Sequence, residues 1–262
     1  MTQPVSHAFD LVKQLNARAR GAGVADSIEQ FENISTHAQY RTPYAVAARW
    51  IKRGDRVLDW GCGNGHFSLL LEQLGAKPTG YSFDDPPACM AASPSFRHVR
   101  GTVDDPRSIP FPPGSFDVVC SVGVLEHVWE TGGDEGESLR EIARVLEPGG
   151  LFLTFHLPNR TGWIEPTFRA LGLNKHFHYR KYRAQEIRAL WQVAGFEILE
   201  VGRYNALPRN QLTLLPAAIR RSEVFVRGYN AIDDLLAAGL PFACTNYFVV
   251  ARRTTKPAAE AR

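Results

Sequence analysis

VLDWGCGNGHF, residues 57–67, decides how the chain is read. A short apolar run carries an acid, Asp59, near its end. Gly61, Gly63 and Gly65 follow at alternate positions, and a segment of helical character begins near His66. Glycines let a backbone turn tightly and approach a ligand closely. The first turn of a helix offers unpaired N–H groups to something polar. The spacing is GxGxG, whereas dinucleotide-binding turns carry GxGxxG. In register with Gly61 and Gly63, the third glycine of that pattern would fall on His66, which weighs against a nicotinamide oxidoreductase. A glycine-rich turn that binds nothing is the plain alternative. The strand before the turn, its acid and the order of the downstream segments argue against it.

Outward from this turn, short apolar runs alternate with helical segments. Residues 56–60, 79–83, 96–101, 116–122, 151–156, 196–202 and 245–253 read as strands. Residues 66–74, 86–92 and 135–147 read as helices between the first five. This alternation argues for an open α/β sheet of mainly parallel strands. Upstream, residues 1–55 read as a helical entry. One helix over about 5–20 places Phe9, Val12 and Leu15 on one face and ends at Gly21-Ala22-Gly23. A second, over 43–51, has Thr42 as its cap and Pro43 in its first turn. Two stretches break the alternation: 157–183, rich in aromatic and basic residues, and 205–244, with long apolar runs. Both lie after or between late strands, and open α/β sheets bind ligands at that edge. They read as substrate-side insertions in a domain spanning 56–253, with 254–262 a solvated tail.

Composition excludes whole classes. A chain of 262 residues is one large domain with additions, long enough to bury a core without disulfide or metal. The hydrophobic share of 44% and charged share of 22% rule out a disordered, collagen-like or coiled-coil chain. A net charge of +3 is too small to argue for nucleic acid. Cys62, Cys89, Cys120 and Cys244 form no CxxC pair, so neither a disulfide framework nor a metal site is expected. No apolar run reaches the ~20 residues of a spanning helix. The first ten residues show no basic-then-apolar leader pattern. A reduced, cytoplasmic protein is the expectation.

VLDWGCGNG, then IPFPPGSFDVVCSVGVLEHV (109–128), then LREIARVLEPGGLFLTFHLPN (139–159), together resemble the class I S-adenosylmethionine-dependent methyltransferases, of the kind described as methyltransferase domain type 11. The resemblance covers about residues 40–203. It implies a Rossmann-like, three-layer α/β/α fold with an open seven-stranded, mostly parallel sheet, and S-adenosyl-L-methionine as cofactor. It implies that Gly61, Cys62 and Gly63 line the cofactor's amino-acid end and that Asp59 organises the loop. Tyr40 and Arg41 sit where upstream residues approach the methionine carboxylate, and an arginine there makes charge sense. One departure stands out. Where the family carries a ribose-binding acid at the end of the second strand, position 82 is serine. Ser82 has one hydroxyl in place of a carboxylate's two acceptors; Asp84, two residues on, would need a shifted turn. Val103, Asp104 and Asp105 are the candidates beside the adenine, where Asp104 can accept from the exocyclic amino group. The DDPP of 84–87 is similar to a motif of amine-methylating enzymes. It follows the second strand rather than the fourth, and Ala88 replaces the aromatic residue, which counts against methylation of nucleic-acid bases.

Methyl transfer from a sulfonium is an in-line displacement, so alignment is most of the task. An oxygen or nitrogen acceptor must also lose a proton. Glu126, His127 and His156 follow the fourth and fifth strands and are the candidate bases; a neutral imidazole suits the role. The alternative is that they only line the pocket. Residues 169–183 hold five Lys/Arg and no acid, interleaved with His176, Phe177, His178, Tyr179 and Tyr182. That combination can grip an anionic, sugar or planar acceptor, or be a solvated basic face. The apolar runs of 205–244 can cap an apolar acceptor, touch a membrane surface or simply pack. The expectation is O-methylation of a small-molecule, glycan or lipid-linked acceptor. Its alternative is a non-catalytic binding or scaffold protein that kept the fold, for which Ser82 speaks.

Overall fold

The computed structural model describes residues 6–28, 33–102, 104–173 and 178–255. Helices α1 (Ser6–Gly21), α2 (Ile34–His37) and α3 (Arg41–Trp50) precede strand β1 (Arg56–Trp60). Then come α4 (His66–Gln73), β2 (Lys77–Ser82), β3 (Arg97–Arg100), β4 (Phe116–Val122), α5 (Glu135–Val145) and β5 (Leu146–Pro158). The chain continues through α6 (Ile164–Ala170), α7 (Ala184–Val193), β6 (Phe196–Tyr204), α8 (Ala217–Arg220), α9 (Glu223–Gly239) and β7 (Asn246–Arg253).

The seven strands form one sheet in the order β3-β2-β1-β4-β5-β7-β6. β1 pairs in parallel with β2 and β4, and β7 runs antiparallel to β5 and β6. Burial on both faces explains why the strands read as continuous apolar runs. Val57, Val118, Leu153 and Val250 face a core shared with α1, α3 and α4. Their neighbours Leu58, Val119, Phe152 and Val249 face the opposite core, shared with α5 and α7. The side-chain period of two in a strand produces this division. β1 is where the strand order reverses, with β2 on one side and β4 on the other. Carboxyl ends of strands beside such a switch point leave a crevice for ligands.

The fold expected from the sequence is therefore present, with local differences. The segment 86–92 makes only a single 3-10 turn, Ala88–Met90. Pro86 and Pro87 confine any helix to the residues after them, and Pro94 disfavours the helical conformation at Ser93, so the span left is too short for more than one turn. α3 starts at Arg41 rather than at Pro43, because the preceding 3-10 turn (Ala38–Tyr40) runs straight into it. β5 starts five residues before Leu151, pairing Leu146 with Phe116. The insertion 157–183 contributes α6, and 205–244 contributes α8 and α9. No described helix is long and apolar enough to cross a membrane.

Candidate functional site

The loop after β1 is held from below. Asp59 is buried, and Ser68 of α4 donates to its Oδ2 at 2.5 Å. Burial pushes this carboxyl up to about 6, against the lowering effect of the Ser68 hydroxyl and backbone N–H. The N–H groups of Gly61 and Cys62 both donate to the Tyr81 carbonyl, at 2.8 and 3.2 Å, which pins the loop to the end of β2. Gly61 has φ +78, and a Cβ there would sit 2.3 Å from Val124. Gly63 has φ +47, and the nearest atom to its would-be Cβ is the Gly61 carbonyl at 4.0 Å. One glycine is thus required by packing. The other leaves open space above the loop. The Cys62 side chain is buried, and burial pushes its thiol up to about 12; its contribution to the loop is backbone.

His66 opens α4 beneath this space. Its Nδ1 lies 3.0 Å from the Tyr44 hydroxyl, and burial holds its ring down at about 3, neutral at any physiological pH. The Tyr40 ring lies over it, centroids 4.4 Å apart. Arg41 does not join Tyr40 at the loop. It is buried, with Nη2 2.8 Å from Asp233 and 2.6 Å from Asp234. Arg209 shares Asp233 at 2.6 Å and also donates to Asn230. Asp233 is fully buried and cannot be left uncompensated, so α9 claims the arginine expected at the cofactor.

At the end of β2, Ser82 is buried with its hydroxyl 3.1 Å from His98 Nε2. Asp84 is exposed, and Asp85 is taken by Arg100 at 2.6 Å. Asp104 is exposed; its N–H donates to the Thr102 hydroxyl at 3.2 Å. Val103 lies outside the described residues.

The second half of the site is a cavity of about 720 Å³ over the carboxyl ends of β4 and β5. Glu126, His127 and His156 all line it, together with Tyr40, Arg209 and Asn246. Glu126 follows the turn at Gly123. It is buried, its Oε2 has no hydrogen-bond partner among the described residues, and burial first, then Glu130 and Glu135, push it up to about 8. His127 is partly exposed, with Nδ1 2.8 Å from Glu130. His156 ends the regular part of β5 with φ +62, a left-handed conformation rare for a residue with a side chain. Its N–H donates to the Tyr204 hydroxyl at 2.8 Å, and Asn246 Nδ2 lies 3.3 Å from its Nδ1. Its Nε2 is buried without a partner among the described residues. Burial, then His178, hold the ring down at about 4.

Two of the five cations in the basic run are paired; Lys175 lies outside the described residues. Arg180 pairs with Glu135 at 2.7 Å and Lys181 with Glu165 at 2.8 Å. Tyr182 is buried and donates to Glu135. His178 is bound to Glu165 through both its N–H and Nδ1. The acids come from α5 and α6, elements that a count of local charge cannot bring to the run. His176 and Phe177 lie outside the described residues. Glu165, Arg209 and Asn246 are not among the expected residues; each reaches the cavity from a different element.

A methyltransferase-domain family matches residues 33–201. A probable S-adenosylmethionine-dependent methyltransferase of Mycolicibacterium smegmatis is 33% identical over 147 residues, 55% of this chain and 53% of that protein. A ubiquinone biosynthesis O-methyltransferase of Pseudomonas aeruginosa is 30% identical over 161 residues, 56% of this chain and 67% of its own. The match thus spans about half the length of the first of these relatives. Among solved structures, a methyltransferase of Thermotoga maritima described as a possible histamine N-methyltransferase superposes with a TM-score of 0.57. It is 17% identical and covers 84% of this chain and 92% of its own.

Proposed function

Because the chain belongs to the class I S-adenosylmethionine-dependent methyltransferases, we propose that it methylates an oxygen of a small or lipid-linked acceptor held in the cavity over β4 and β5. S-adenosylmethionine, when bound, supplies an electrophilic methyl group. The loop fits such a cofactor: its backbone is pinned from below, and the space above Gly63 is clear. Gly61, Cys62 and Gly63 would hold the amino-acid end over Asp59. Ser82 and Asp84 would face the ribose, and Asp104 the adenine. Ser82 offers a single hydroxyl already near His98, so Asp84 has to supply the second contact.

The observation that carries the oxygen reading is His156, because a hydroxyl gains from a base as it attacks, whereas a neutral amine attacks first and loses its proton afterwards. A strained residue is kept at the cavity with its Nε2 unpartnered and its ring neutral. Asn246 sets the tautomer. With Nδ2 against the imidazole Nδ1, the ring proton sits on Nε2. With the amide turned over, Oδ1 accepts from Nδ1–H and Nε2 is free to take a proton. The second form receives the acceptor's hydroxyl proton in this reading. Apolar walls from Ile164, Leu207 and Leu214 suit an acceptor with an apolar body. The P. aeruginosa relative, named as an O-methyltransferase, is in keeping with an oxygen acceptor.

The test is a transfer assay with labelled S-adenosylmethionine against paired hydroxyl and amine acceptors. Turnover on the hydroxyl member, reduced about 10²–10⁴-fold in His156→Ala with cofactor affinity kept, is the expected result. Transfer to amines alone, or full turnover in His156→Ala, contradicts it.

A further inference from the structure

We propose that Glu126, His127 and His178 form a binding site for a divalent first-row transition ion at the wall of the acceptor cavity. One ligand atom from each of the three lies within 4.8 Å of the others. Ligands bound at 2.0–2.1 Å to a tetrahedral ion stand roughly 3.4 Å apart, so side-chain torsions alone need to close the set. All three residues line the cavity, and the two imidazole centroids are 5.5 Å apart.

Two independent features point to an ion rather than to chance proximity. The first is the outer shell. His127 Nδ1 is 2.8 Å from Glu130, and His178 Nδ1 is 2.9 Å from Glu165. A carboxylate on Nδ1 fixes the ring proton there and leaves Nε2 as a lone-pair donor, the arrangement that supports metal-bound histidines. Both rings of the trio have it. Glu165 is itself fixed by Lys181 at 2.8 Å. The second is Glu126. It is 2% exposed, and its Oε2 has no hydrogen-bond partner among the described residues. A buried carboxyl oxygen without a partner is costly. No cation is paired with Glu126 among the described residues, and a divalent ion held with two imidazoles would give Oε2 a partner and displace the carboxyl proton.

The donor set narrows the ligand. Two nitrogens and one carboxylate oxygen suit zinc, cobalt, iron or manganese rather than magnesium or calcium, which prefer oxygen. Three protein ligands are the count of a catalytic rather than a closed structural site, with a further position open. That position faces the cavity, where an acceptor oxygen can complete it. This last point rests on the oxygen-acceptor reading; binding of the ion does not. Spacing in the sequence does not point to this site for a simple reason. His127 and His178 are 51 residues apart in sequence, in segments no spacing rule connects.

The test is a titration of the chelator-treated full chain with Co²⁺, read by its visible d–d bands, followed by displacement with Zn²⁺. The account expects one ion per chain, bands of four- or five-coordination, and bleaching by Zn²⁺. His178→Ala and His127→Ala each weaken binding at least tenfold, and Glu165→Gln weakens it about tenfold with the bands kept. Far-ultraviolet dichroism of each variant verifies the fold. No bands at millimolar Co²⁺, or affinity unchanged in both histidine variants, overturns the proposal. S-adenosylmethionine binding is measured on the same samples. Cofactor bound without metal sinks this site alone; metal bound without cofactor sinks the methyltransferase reading alone.

Discussion

On one side of Tyr40, the loop from Gly61 to Gly65 is made by consecutive residues, tied by backbone hydrogen bonds to the end of β2. On the other side, the cavity takes its walls from the amino-terminal helices, the ends of β4 and β5, the α6 region and the stretch before α8. Each side buries an acid. Asp59 has a hydroxyl and a backbone N–H for company, while Asp233 has two arginines and the Leu207 N–H. The first is local and small. The second ties α3, the segment near Arg209 and α9 into one cluster. The loop is built from backbone and a short motif. The cavity is built from side chains that meet only in the folded chain.

The largest expected effect breaks the second cluster. Asp233→Asn leaves the buried Arg209 without its carboxylate, while Arg41 keeps Asp234, and the unfolding free energy falls by about 3 kcal/mol in denaturant titration. S-adenosylmethionine affinity, measured on the folded fraction, changes little, because the loop shares no partner with that cluster. A large loss of cofactor affinity would show that the two sides are not separate.

The next effect concerns Asp59 and has the opposite character. Its carboxyl is raised from about 3.8 to about 6 in the fold, so the native state holds a proton that the unfolded chain has released. The stability this gives is full below the unfolded value and is lost as pH rises through the folded one. Relative to Asp59→Asn, the wild type therefore loses about 3 kcal/mol between acid and neutral pH, and about half of that between pH 5 and 7.5. Paired urea titrations at those two pH values measure it. A wild type that gains stability relative to Asp59→Asn as pH rises contradicts the environment assigned to Asp59.

Third is the loop itself. Gly63→Asp places a charged side chain in the clear space above the loop, at a φ of +47. Cofactor affinity should fall about a hundredfold, near 2.7 kcal/mol, with stability far less affected than in Asp233→Asn. Unchanged affinity removes the loop from the cofactor site.

The same division explains what was legible. β1, β4, the turn between β1 and α4, and the order of strands could be read because buried parallel strands are continuous apolar runs and glycines mark the turn. The proline-rich 86–92 misled, since its apolar content suggested a helix that Pro86, Pro87 and Pro94 confine to one turn. Glu126, His127 and His156 could be singled out because they directly follow strands, and the fold brings them to one cavity. Arg41 was misassigned, because its partner Asp233 is 192 residues away. Arg180 and Lys181 of the basic run looked free for the same reason: Glu135 and Glu165 pair them from α5 and α6. Local sequence carries backbone geometry well and carries long-range charge pairing poorly.

The central claim is that the glycine loop is a working cofactor site despite serine at position 82. Calorimetric titration of the intact chain with S-adenosylmethionine and with S-adenosylhomocysteine tests it most directly. The account predicts that both bind, one per chain; binding of neither up to millimolar concentration would contradict it.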